Sequence, residues 1–167
     1  MNKQKERQQR GQDFQDELRR SWRLVPKCWR MRVADGRGAT RPGDEIILLQ
    51  YINVLAEHKR TKGTKFELGF LAPNQLKGLI DFDTIIDRNK GLVFVSFLDE
   101  AKGLDKAVAF RLVAAALYMK RNNRKYITLE EFESGKMPCL MLDRIKIDDK
   151  PGYDLKGVNS YFVTDLY

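Results

Sequence analysis

The chain has 167 residues, 43% hydrophobic and 32% charged, a balance that fits one soluble globular domain long enough to bury a core. Its formal net charge of +8 favours a polyanionic partner, because neutralising phosphates releases condensed counterions. Charged residues interrupt every apolar run, which argues against a membrane span. The opening Met-Asn-Lys-Gln-Lys-Glu lacks the apolar core of a secretory leader, so a cytoplasmic location is expected. Cys28 and Cys139 stand far apart without metal-ligand neighbours and are expected as buried thiols rather than zinc ligands.

The first ten residues are polar and rich in Lys, Arg and Gln. They suggest a flexible basic arm ahead of a single domain over 11–167. The cations Lys3, Lys5, Arg7 and Arg10 suit either a DNA-gripping arm or a disordered tail. Phe14, Leu18 and Trp22 recur at four-residue steps, the spacing of one helix face, and Pro26 follows its end. Lys27 to Val33 alternates as a strand. Ala34 to Gly43 holds three glycines, a proline and two arginines, so it reads as a loop.

Residues 44–50 and 53–59 read as two antiparallel strands. A turn at Gln50-Tyr51 sets Asp44 opposite Glu57. Alternation then puts Glu57 and Lys59 on one face of the sheet and the lone histidine, His58, on the other, where a structural role is expected. Trp22 and Trp29 are expected as core or interface aromatics. A helix is predicted from Pro73 to about Phe82, with Leu76, Leu79 and Ile80 inward, and a buried strand over Gly91–Leu98. A strand over Lys106–Arg111, a helix over Val113–Lys120, a capping box at Thr128/Glu131, a strand within Pro138–Ile147 and an amphipathic helix over Leu155–Leu166 complete the prediction.

Asp44, Glu57 and Lys59 are the chemistry-bearing residues. Two carboxylates at one sheet edge can hold a divalent cation, and magnesium takes only one or two carboxylates from a protein. The main-chain carbonyl of His58 would add a third oxygen. Lys59 can stabilise developing charge or help remove a proton. Such a set fits phosphodiester hydrolysis, in which an ion positions water and screens charge. Arg60, Lys62 and Lys65 suit either phosphate contacts or a solvated loop.

The order of helix, strand, Gly43-Asp44, Glu57-His58-Lys59, helix and buried strand resembles the PD-(D/E)XK nuclease core, and more closely the RecU Holliday junction resolvases. Arg10-Gly11 with Phe14, Thr61 after the lysine, Gln75 at the next helix, Gly91 to Phe97, and Arg124 to Ile127 with Glu130 and Glu131 carry the match. The resemblance implies an α/β, restriction-endonuclease-like fold: a mixed central sheet flanked by helices. It implies a homodimer that resolves four-way DNA junctions in recombination and repair with Mg2+ or Mn2+. By the same match Asp44 and Glu57 are metal ligands, Lys59 assists the nucleophile and Gln75 orients Lys59 or water. Arg10, Arg37, Arg41, Arg60, Lys62 and Lys65 are candidate DNA contacts. Gln15 stands where the family often has a glutamate, and is expected at most as an outer contact of the site. The stretch before Asp44 is shorter than the RecU stalk. Alternatives are another nuclease on this core, or a junction-binding module with weakened catalysis.

Overall fold

The computed structural model describes residues 2–34 and 41–164. In chain order the elements are α1 (Lys3–Trp22), β1 (Trp29–Arg32), β2 (Glu45–Leu48), β3 (Asn53–Thr61), β4 (Lys65–Glu67), α2 (Pro73–Ile85), β5 (Asn89–Asp99), β6 (Leu104–Arg111), α3 (Leu112–Arg121), β7 (Tyr126–Thr128), α4 (Leu129–Glu133), β8 (Leu140–Met141), β9 (Arg144–Ile147), β10 (Lys150–Tyr153) and α5 (Val158–Tyr161). Short 3-10 turns lie at Leu68–Phe70 and Glu100–Lys102. No helix among the described residues is long and apolar enough to cross a membrane.

The near-continuous apolar run around Gly91–Leu98 buries both of its faces, as it must at the centre of a sheet covered on two sides. That sheet is mixed, six-stranded and ordered β1-β2-β3-β5-β6-β8. β3 and β5 run parallel, joined by the α2 crossover, and every other neighbouring pair is antiparallel. Strand alternation divides the core in two. Val54, Ala56, Leu92 and Phe94 meet Phe14, Leu18 and Trp22 of α1 on one face. Leu55, Val93, Val95 and Phe97 meet Leu79 of α2 and Ala115 and Met119 of α3 on the other. The expected α/β architecture is therefore the observed one.

Two close approaches fix α2. A Cβ on Gly91 would lie 2.3 Å from the Leu79 carbonyl oxygen, so the helix backbone rests directly on β5. A Cβ on Gly78 would lie 2.3 Å from Pro42 Cβ, so the same helix presses on the segment leading into Asp44. Buried Asp83, near the end of α2, accepts from Gly91 N at 2.9 Å and Arg111 Nε at 2.7 Å, tying helix, β5 and β6 together.

Several boundaries differ from the sequence prediction. Residues 3–10 are not a separate arm in secondary structure, because α1 begins at Lys3. The Asn2 side chain accepts from Gln4 N at 3.1 Å and caps it, and the Lys, Gln, Glu and Arg that follow are good helix formers. The expected C-terminal helix shrinks to Val158–Tyr161, and residues 165–167 lie outside the described range. Ahead of it the chain forms an unforeseen β9–β10 hairpin, turned by Asp148 and Asp149 at φ of 50° and 58°. Two consecutive positive φ values are the mark of a type I′ turn, which Asp tolerates better than most residues. Trp22 is core, but Trp29 on edge strand β1 is 54% exposed. Cys28 and Cys139 are free and only half-buried.

Gly78→Ala tests the α2–Pro42 contact. In an open helix this change gains up to about 1 kcal/mol. Here the added methyl overlaps Pro42, and we expect a loss of about 1–3 kcal/mol in urea denaturation. A midpoint at or above the parent's would contradict the packing.

Candidate active site

β2 and β3 pair in the expected register, Glu45 opposite Ala56 and Leu48 opposite Asn53, which places Asp44 opposite Glu57 one step beyond the ladder. Asp44 is held on both sides. Its N–H donates to the Ala56 carbonyl at 2.7 Å, and its carbonyl accepts from Val33 N at 2.9 Å. Its carboxylate Oδ2 accepts from the main-chain N–H of His58 at 2.9 Å. A strand residue sends its N–H and C=O to the same edge, so the His58 carbonyl faces the Asp44 edge as well. Asn74 of α2 donates to the Arg41 carbonyl at 2.6 Å, fixing the approach to Pro42-Gly43-Asp44.

Glu57 and Lys59 share the α2 face of β3. Lys59 Nζ lies 2.8 Å from Glu57 Oε1. Gln75, in the first turn of α2, joins them. Its Nε2 donates to Glu57 Oε1 at 2.7 Å, and its Oε1 accepts from Lys59 Nζ at 3.4 Å and from Ala72 N at 2.9 Å. One amide thus caps the helix and links the carboxylate to the ammonium.

Asp44 and Glu57 are 3% and 1% exposed, so the site holds two carboxylates out of water. Burial pushes the Glu57 carboxyl up to about 7, and the Asp44 charge adds to the rise. Lys59 and Arg41 pull the other way without cancelling it. Arg41 lies 3.0 Å from Asp44 Oδ1. That oxygen is nevertheless buried without a hydrogen bond, so the contact is a charge pairing rather than a directed bond. Glu57 Oε2 is likewise buried without a hydrogen-bond partner.

His58 turns to the opposite face, edge-on to Phe14 and Phe94 at ring-centroid distances of 6.3 and 5.7 Å. Burial lowers its pKa despite Asp44 and Glu45 nearby, so the ring is neutral at pH 7. Its side chain is buried on the face that strand alternation assigns it.

Among the described residues no three His, Cys, Asp or Glu side chains are disposed to hold a metal ion. The oxygens that could serve as donors here are two carboxylates and a main-chain carbonyl. This suits a hard cation that keeps much of its water, such as Mg2+ or Mn2+, and the unpartnered Glu57 oxygen fits that use.

The other expected residues divide. Arg10 and Lys62 line an open groove of about 680 Å³ beside Lys59, together with Lys3, Arg7 and Phe70. Lys62 also pairs with Glu6 at 3.0 Å. Arg41 sits on Asp44, and Arg37 lies outside the described residues. Lys65 points to the Tyr126 ring, 4.6 Å from its centroid. Gln15 is half-buried on α1 and makes no hydrogen bond to Asp44, Glu57 or Lys59.

Arg60 also lines the groove, but its charged end is taken up within the protein. Its side chain is 3% exposed and faces the α1 side. There it bonds Glu17 Oε2 at 2.5 Å and Ser96 Oγ at 2.9 Å, with its guanidinium 5.0 Å from the Phe14 ring. Arg144 shares the same Glu17 oxygen at 2.9 Å. This ionic cluster was missed in the sequence, although Glu17 and Ser21 fall on the helix face defined by Phe14 and Leu18. A charge on an apolar face was its signal.

No family model and no curated protein matches the chain. Among solved structures it is similar to Hjc, a Holliday junction resolvase from the archaeal hyperthermophile Archaeoglobus fulgidus. The identity is 16%, the match covers 75% of this chain and 92% of that chain, and the TM-score is 0.48.

A carboxyl titrating near 7 binds its proton more tightly in the folded state than in the unfolded chain. Its favourable contribution is complete below about pH 4.5 and is lost as pH rises toward about 7. Glu57→Gln therefore raises the melting temperature at pH 8 and changes it little at pH 5. An equal shift at both pH values would show that Glu57 ionises normally.

Proposed function

We propose that this protein is a metal-dependent DNA endonuclease that cuts branched DNA, foremost the four-way junction, in the manner of the RecU-like resolvases. The observation that carries the reading is the meeting of Asp44, Glu57, Lys59 and Gln75 at one sheet edge, with a buried carboxylate oxygen left unpartnered. A basic groove opens beside them.

In this reading Asp44, Glu57 and the His58 carbonyl hold Mg2+ or Mn2+. The bound ion supplies Lewis-acid stabilisation and an activated water at the scissile phosphate. Lys59 places its ammonium where charge develops on the phosphate oxygens. Gln75 fixes Lys59 against Glu57, so the amine does not swing into solvent. Lys3, Arg7, Arg10 and Lys62 line the path of a strand leading to the site. Arg41 pairs with Asp44 and is a candidate phosphate contact beside it. A homodimer matches a two-fold junction with two equivalent strands to cut.

Asp44→Asn and Glu57→Gln each lower the cleavage rate by about 100-fold or more, while junction binding survives. The measurement is a synthetic four-way junction with magnesium, resolved on a denaturing gel, beside a binding assay. Paired symmetrical nicks are expected, and parental cutting by both variants would refute the site. The absence of an acid at Gln15 favours a second reading, a junction-binding module with weakened catalysis. Magnesium-dependent turnover above a metal-free control eliminates it.

A further inference from the structure

Beyond the groove, a second set of cations gathers where α3 ends and the β4–β7 pair begins. Lys120, Arg121 and Lys125 are exposed around the turn after α3, and Lys65 lies on the facing strand. None of these four makes an ion pair among the described residues, whereas Arg124 in their midst is spoken for by Glu131. Glu131 also takes the Tyr118 hydroxyl at 2.7 Å and Thr128 N at 2.9 Å. Burial alone would raise its carboxyl, but these bonds outweigh it and bring it down to about 2. That pair is a fixed, neutral buttress. Against it, Arg124 and Lys65 both pack on the Tyr126 ring, 4.9 and 4.6 Å from its centroid. The exposed acid on β4, Glu67, leaves a clear positive surplus.

A helix C-terminus favours basic residues for its own sake, which accounts for Lys120 and Arg121. It does not account for Lys125 and Lys65, which lie beyond the helix. Their position relative to the groove is informative. Lys62 lines the groove and Lys65 reaches this patch, three residues apart on one turn. Phe70 lines the groove, and Leu68 lines a hollow of about 330 Å³ rimmed by Lys120, Arg124 and Lys125. Leu68 N also donates to the Lys125 carbonyl at 2.9 Å. The Leu68–Phe70 turn is therefore a wall common to both.

We infer that Lys65, Lys120, Arg121 and Lys125 form a second nucleic-acid contact that grips the phosphate backbone of a duplex arm leaving the cleavage groove. This rests on the nuclease reading for the identity of the polyanion. It adds a surface remote from the metal ligands that contributes affinity and arm orientation without touching the scissile phosphate.

The test is Lys120→Ala/Arg121→Ala/Lys125→Ala in the full chain. Fluorescence anisotropy, without divalent metal, follows binding of a long-armed and a short-armed four-way junction across a salt series. Each phosphate contact contributes about 0.9 to the slope of log affinity against log salt, so the slope falls by about two to three. The parent prefers the long-armed junction and the variant loses that preference, while the melting temperature falls by no more than the few degrees that losing two helix-end cations costs. The charge-preserving Lys120→Arg/Lys125→Arg keeps slope and preference. A triple variant with the parental slope and arm preference overturns the inference, as does a loss in the arginine variant equal to the alanine one. A parent that cuts nothing yet shows the arm-length effect would refute the nuclease reading and leave this surface standing. A parent that cuts junctions beside a triple variant that binds like it would do the reverse.

Discussion

The site depends on one hydrogen bond, from the main-chain N–H of His58 to Asp44 Oδ2 at 2.9 Å. Asp44 stands one step beyond the β2–β3 ladder, with its main chain bonded to Ala56 and Val33. The bond anchors its carboxylate at the edge of β3, with His58 Nδ1 3.6 Å from the same oxygen. The same amide belongs to the residue between Glu57 and Lys59, so the bond ties Asp44 to the segment that carries both. Pro42, Gly43 and the Asn74 bond to Arg41 hold the approaching segment in place from the α2 side. α2 in turn carries Gln75. One helix thus positions the acid from behind and the lysine from in front.

This arrangement works against stability. Two carboxylates are taken nearly out of water within reach of each other, and Glu57 responds by holding its proton to about pH 7. Arg41 and Lys59 offset part of that repulsion. The remaining repulsion, with one Glu57 oxygen buried and unpartnered, is the feature on which the proposed use of this site rests. The opposite face of β3 shows the contrast. There Arg60, Glu17, Arg144 and Ser96 satisfy one another, and the cluster ties α1 and the β9–β10 hairpin to the sheet.

Much of this was legible in the sequence because period-two alternation is a local rule. It places Glu57 and Lys59 together and His58 apart, and it sets Asp44 opposite Glu57 once the turn at Gln50-Tyr51 is chosen. The central strand was legible from its apolar run, and α2 from Pro73 and the spacing of its apolar residues. What was not legible depended on partners distant in the chain. Arg60 looked like a surface cation until Glu17, 43 residues away, was seen to face it. The β9–β10 hairpin was hidden because its turn is Asp-Asp rather than Asn-Gly. The role of α2 as a support for Asp44 rests on Gly78, whose missing side chain signals nothing until Pro42 is against it.

The central claim is that the bare Glu57 oxygen and the pinned Asp44 carboxylate share one cation. A crystal soaked in manganese, with anomalous data collected near the metal edge, tests it most directly. The account predicts a single strong peak bridging the Asp44 and Glu57 carboxylates and the His58 carbonyl, with Lys59 beside it. A peak elsewhere, or none at a manganese concentration that supports cleavage, would contradict it.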